Sequence, residues 1–246
     1  MPNGRDRSRR PARRESFRTP KKKILIVCEG KNTEPQYFRQ FAAAHRVSLV
    51  EIDVAPEAGV PLSVVQKAQK LRNKAKVDAK RQGDLFLAYD AVWCTFDVDE
   101  HPNIPEAIET ARQSDLQVAV SNPCFELWLV LHHRDPPGLI HRHDVQRLLK
   151  TFLPGYDKHV SYDDYRAGYG QACQRARQLD QLAQRMNEPR RNPSTGVYRL
   201  TESIATPPRE DPEASDPADT IQDQSKAEAP GLQQASGAIK KRRKTK

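Results

Sequence analysis

Long apolar runs are missing from this chain. No stretch of 18 apolar residues occurs, so no membrane-spanning helix is expected. The N-terminus carries arginines but no apolar core, so it does not read as a secretory signal. Cysteine is sparse: Cys28, Cys94, Cys124 and Cys173 form no CxxC pair, and the first three lie in apolar runs. That gives little support to a zinc site or a disulfide framework and reads instead as reduced, buried thiols in a cytoplasmic protein. No internal repeat is found. Hydrophobic content is 37%, low enough that part of the 246-residue chain is expected not to fold.

Charge is present in excess, but not everywhere. The formal net charge is +9, yet residues 1–23 carry +8, the final KKRRKTK carries +6 and residues 205–239 carry −5. Residues 24–204 therefore sum to zero. Basic tails attract polyanions without selecting among them, so the excess charge is weak support for specific nucleic-acid recognition. Residues 1–22 read as a disordered basic tail and 23–204 as the folded domain. Residues 205–246 read as a disordered acidic, Pro-rich linker ending in a basic tail.

Strand and helix signals alternate within the neutral body. KILIVC (Lys23–Cys28) is a short β-rich run, as expected of a strand buried on both faces. Thr33-Glu34-Pro35-Gln36 has the features of a helix start: Thr33 as cap, Pro35 in the first turn and Gln36 completing a capping box. Val47–Val54, Ala91–Phe96 and Leu116–Ser121 are expected strands, and Ser63–Gln82 and Ile104–Ser114 expected helices. Asn122-Pro123 is expected to cap and open the apolar helix CFELWLVLHH. This order predicts a mostly parallel α/β sheet with flanking helices, followed by a helical extension over residues 140–204. Functional groups in such sheets gather past the carboxyl ends of strands. Glu29 follows the first strand, Asp97 and Asp99 the third, and Ser121 and Asn122 the fourth, with Glu126 one helical turn on.

Two carboxylates in a DxD at a strand end repel one another, and a hard oxygen-loving cation such as Mg²⁺ relieves that repulsion. A third acid from a neighbouring strand adds a second ligand or a general base, and two ions so held clamp a phosphodiester. The plainer reading is that Asp99, Glu100 and Glu106 decorate a helix N-terminus. Glu29-Gly30 at a second strand end tips the balance towards a site. Gly30 is expected to let the chain turn sharply off the sheet.

Five motifs in order, CEGKNTEPQYF (Cys28–Phe38), VWCTFDVDEHP (Val92–Pro102), SNPCFELWLVLHH (Ser121–His133), GYDK (Gly155–Lys158) and NPST (Asn192–Thr195), resemble the RloB-like proteins of prokaryotic phage-defence loci. The strand–Glu-Gly then strand–Asp-x-Asp order resembles the Toprim arrangement of topoisomerases, primases and related nucleases. The resemblance implies a Toprim-like fold and a role in abortive infection or other anti-phage defence beside an AAA/ABC-type ATPase. It further implies Mg²⁺- or Mn²⁺-dependent cleavage of DNA or RNA. Carried over by position, Glu29 matches the acid/base or second-metal glutamate, Asp97 and Asp99 the metal-binding pair, and Glu126 falls in the FELW motif as a further acid.

The remaining residues have two readings each. Glu126 in an apolar helix needs either a site or a structural salt bridge. Glu34 at a helix start reads as helix-dipole pairing, and His132 and His133 at a helix end likewise. Trp128 reads as core and His101 as a surface histidine. Lys31 is either a phosphate contact or a solvated loop lysine. Tyr156, Lys158, Arg190 and Arg191 are candidate substrate contacts, with Lys31, Lys158 and Arg191 set down for nucleic acid. Asn192-Pro193-Ser194-Thr195 reads as a helix cap with a turn. The expected function is a cytoplasmic metal-dependent nuclease, with homo-oligomer formation left open. The alternative is a non-catalytic regulatory or interaction subunit of an ATPase-containing defence complex. A module that works through its basic tails would lose function when residues 1–20 and 240–246 are deleted. A nuclease centred on the acids should keep part of its cleavage activity in the same truncation.

Overall fold

The computed structural model describes residues 21–46, 48–54, 60–98 and 103–206. Three β-α crossovers come first: β1 (Lys22–Cys28), α1 (Thr33–His45), β2 (Ser48–Val54), α2 (Pro61–Gln82), β3 (Ala91–Asp97), α3 (Ile104–Gln113) and β4 (Gln117–Asn122). Then follow α4 (Glu126–His133), α5 (Arg142–Phe152), a short α6 (Tyr162–Tyr165), α7 (Tyr169–Arg185), β5 (Ser194–Thr195) and α8 (Val197–Ala205). The sheet order is β2-β1-β3-β4-β5. The first four strands are mutually parallel, and β5 is antiparallel to β4 through Ser121↔Thr195 and Asn122↔Ser194. The expected mostly parallel α/β sheet is what forms.

Both faces of β1 are covered, and its side chains alternate between two cores. Ile24, Ile26 and Cys28 pack with Tyr37, Phe38 and Phe41 of α1. Leu25 and Val27 pack with Val64, Val65 and Ala68 of α2 and with Ala107 and Ala111 of α3. The helices of residues 140–204 join the α1 face, where Val145, Leu149, Ala172, Ala176, Leu200 and Ile204 share one cluster with the sheet. The helical extension is therefore half of the main core. At its centre lies α4, apolar almost all round as a buried helix must be, with Leu127, Trp128, Leu129, Val130 and Leu131 essentially inaccessible. Trp128 is a core residue, as expected.

Two expectations about the ends of elements change. Ser194-Thr195 is an edge strand and not a cap: the Ser121 and Thr195 hydroxyls lie 3.0 Å apart and both residues are buried. Asn122 does not open a helix. It ends β4, its Nδ2 donates to the Arg190 carbonyl at 2.8 Å, and α4 begins only at Glu126. A strand end needs partners for its side chain as well as its backbone, and here the chain around Arg190 supplies one.

Gly168, between α6 and α7, lies so close to α4 that an added Cβ would overlap the His132 carbonyl oxygen. Gly170, two residues on, has open space around its Cβ position. Gly168→Ala should therefore lower stability by about 1–3 kcal/mol, whereas Gly170→Ala within α7 should be neutral or raise it by about 0.5–1 kcal/mol. Urea unfolding midpoints of the two variants measure the difference.

Candidate active-site cleft

From β1 the chain crosses to β2 on one side and returns to β3 on the other. The carboxyl ends of β1 and β3 are thus the point where strand order reverses, and a crevice opens there. Glu29 sits on that point. Its N–H donates to the Thr95 carbonyl at 3.1 Å, which continues the sheet one residue past β1. Its carboxylate Oε2 accepts the Asp97 N–H at 2.9 Å. The Glu29 side chain thus reaches the Asp97 backbone, and both residues line one cleft of about 310 Å³. Asp99 and His101 lie outside the described residues.

Glu34 lines the same cleft and was missed as a site residue. Its Oε2 accepts the Gly30 N–H at 2.6 Å and its Oε1 accepts the Thr95 hydroxyl at 3.0 Å. Burial pushes its carboxyl up to about 8, helped by repulsion from Glu29 and Glu126 and only partly offset by those two hydrogen bonds. It is a buried acid of the cleft and not a solvated helix-dipole partner. The chain does bend at Gly30, without a positive φ. A Cβ there would stand 2.7 Å from Glu34 Oε2, so the glycine makes room for the carboxylate.

The expected capping box is absent. Asn32 holds the cap position of α1 without a side-chain cap. Thr33 Oγ1 instead donates to the Lys158 carbonyl at 2.8 Å and touches the Tyr156 hydroxyl at 3.1 Å. Gln36 Oε1 accepts the Val160 N–H at 3.2 Å, and Gln40 Nε2 donates to the Val160 carbonyl at 3.0 Å. Backbone groups of the 156–160 segment need partners, and the first turns of α1 supply them.

That segment delivers Lys158 to Glu126. The Glu126 carboxylate is 3% exposed and accepts from the Tyr156 hydroxyl at 3.0 Å and from Gln146 Nε2 at 3.3 Å. It also forms a close ion pair with the half-exposed Lys158 ammonium. Burial acts to raise this carboxyl, but the Lys158 hydrogen bond and charge prevail and hold it below the usual range. Glu126 is thus salt-bridged, and it also lines the cleft. Tyr156 is buried, and burial and then Glu126 push its hydroxyl well up, so it stays protonated and donates to Glu126.

Lys31 lines the cleft from an exposed loop, and so does Arg142, the first residue of α5, which the sequence reading did not pick out. Its sign was the available signal, because a cation in the first turn of a helix opposes the dipole. Arg191 does not line the cleft; it pairs locally with Glu188 at 2.7 Å. His132 is not a charged helix end either. Burial lowers it to about 3, and its Nδ1 lies 2.8 Å from the Trp128 carbonyl within the aromatic core. The buried thiols of Cys28, Cys94 and Cys124 are all pushed up by desolvation, as in buried structural cysteines.

The Glu34 shift carries a pH signature. An unfolded chain ionises this carboxyl near 4.5, while the folded chain keeps its proton to about 8. The contribution to stability is therefore complete below pH 4.5 and is lost as the pH rises through 8. Glu34→Gln keeps the hydrogen-bonding shape without the ionisation. In chelator-containing buffer it should be more stable than the wild type at pH 8, with the difference closing towards pH 4.5. Denaturation curves across that range measure it.

Among the described residues no helix is long and apolar enough to cross a membrane. No curated protein and no solved structure matches the chain. The family model for RloB-like proteins matches residues 24–204, from within β1 to within α8. Every residue of the cleft falls within that span, and the chain belongs to the RloB-like protein family.

Proposed function

We propose that the protein hydrolyses phosphodiester bonds of a nucleic acid with the help of Mg²⁺ or Mn²⁺, as a Toprim-like effector of anti-phage defence working with an AAA/ABC-type ATPase. The observation that carries the reading is the meeting of Glu29 and Asp97 where strand order reverses, with Glu34 and Glu126 beside them and Lys31, Arg142 and Lys158 on the rim.

Among the described residues no group of three His, Cys, Asp or Glu is arranged as a preformed metal cage. Mg²⁺ does not need one, since it keeps several waters and takes one or two carboxylates together with substrate phosphate oxygens. The donor set fits: it is all oxygen, and burial, with some repulsion from Glu29 and Glu126, already raises the Glu34 carboxyl beside it. Asp97, with Asp99, would hold the ion, and Glu29 beside Asp97 is placed to act as the base. A bound Mg²⁺ or Mn²⁺ would acidify the attacking water and neutralise charge on the phosphate.

The chain's own residues supply the rest. The Asp97 N–H fixes the Glu29 carboxylate at the strand end. There Glu29, as base, takes the proton as water oxygen bonds to phosphorus and the P–O ester bond breaks, and solvent water protonates the departing oxygen. Lys31, Arg142 and Lys158 place positive charge where the phosphate enters. Glu126 holds Lys158 in position.

The test is cleavage of DNA and RNA with Mg²⁺ or Mn²⁺, with and without the ATPase. Asp97→Asn and Glu29→Gln should each lower the rate on the order of 10²-fold or more while melting like the wild type. Equal rates for the wild type and both variants would sink the proposal and favour the non-catalytic role.

A further inference from the structure

A second groove of about 420 Å³ adjoins the acidic cleft, and the two share Lys158. One wall is the outer face of α5, where His143, Gln146, Arg147 and Lys150 recur at helical spacing. The opposite face of that helix buries Val145 and Leu149 in the main core, so the basic face is held rigidly. The other wall is Tyr156, Asp157 and Lys158. Glu126 separates the two spaces from inside, since it accepts from Gln146, Tyr156 and Lys158 at once.

We infer that this groove is the path of the nucleic-acid strand beyond the cleft, with Lys158, Arg147 and Lys150 each meeting a backbone phosphate. The inference rests on the nucleic-acid reading of the cleft and extends it with a substrate track.

The charges suit such a track. Arg147 and Lys150 are exposed, and the Arg147 pair with Asp144 at 3.3 Å is itself exposed, so an incoming phosphate exchanges for it easily. Asp157, the carboxylate on the lining, faces His159 at 3.0 Å. From His143 to Lys150 the helix rises about 10 Å, room for two or three phosphates at about 3.4 Å of axis per strand. The tyrosine on the lining, Tyr156, is buried and offers no face for base stacking. Contacts to backbone phosphates carry no sequence information, so binding along the groove should be independent of sequence.

The test uses the full chain carrying Asp97→Asn, in chelator, with labelled 20-mer single-stranded DNA, single-stranded RNA and duplex DNA. Anisotropy titrations between about 50 and 200 mM salt give the slope of log K against log salt. Adding Arg147→Gln with Lys150→Gln should weaken binding and make that slope shallower by about 1.4 for single strands or about 1.8 for duplex. Which arm shows the full change identifies the strand type. Lys76→Gln with Lys80→Gln, on the exposed side of α2, removes the same charge and should leave the slope unchanged. Equal slopes for the two pairs, or no binding by the parent chain, would overturn the groove. A slope change without metal-dependent cleavage by the wild type would leave the groove standing and overturn the cleavage reading.

Discussion

Burial of like charges is the constraint around which this protein is built. Glu29, Glu34 and Glu126 are 7%, 4% and 3% exposed and line one cleft. Buried carboxylates are costly unless each is compensated, and each of these is compensated differently. A backbone N–H of the neighbouring strand meets Glu29. Glu34 keeps its proton to about pH 8. An ammonium answers Glu126. The loop at 156–160, the first turns of α1 and the bare backbone of Gly30 are all arranged to supply those answers.

The two faces of the sheet divide the work. The α2 and α3 face is a plain apolar layer against Leu25, Val27, Val92 and Phe96. Among the described residues, what shapes the cleft besides the strand ends and the loop after β1 comes from the other face, through α1, α4, α5 and the segment before α6. Because α4 is buried on all sides, Glu126 at its start cannot turn to solvent, and the chain must bring Lys158 to it. The packing of the helical half of the chain is thus what sets the electrostatics at the strand ends.

Much of this was legible in the sequence. The alternation of strand and helix signals marks four parallel strands to within a residue or two, because a fully covered strand must be apolar on both faces. Glu29 and Asp97 were identifiable because each acid ends an apolar run. Glu34 was not, since its position looks like an ordinary helix start. Nothing local tells that the helix axis points its first turn into a pocket shared with Glu29, Asp97 and Glu126. Likewise Thr33 and Gln36 match a capping box in spacing, yet the demand of a loop more than 120 residues away takes their hydrogen bonds.

The sequence by itself determined the strands, the crossover order, the neutral body between charged tails, and the two acids at strand ends, all of which depend on near neighbours and periodicity. Tertiary structure alone decided that β1 and β3 are adjacent, that Ser194-Thr195 closes the sheet edge, that Arg142 and Lys158 rim the cleft while Arg191 does not, and that Glu34 carries a proton. Those outcomes depend on distances between residues far apart in the chain, and charge–charge repulsion and desolvation follow from distance and burial, which spacing along the sequence does not fix.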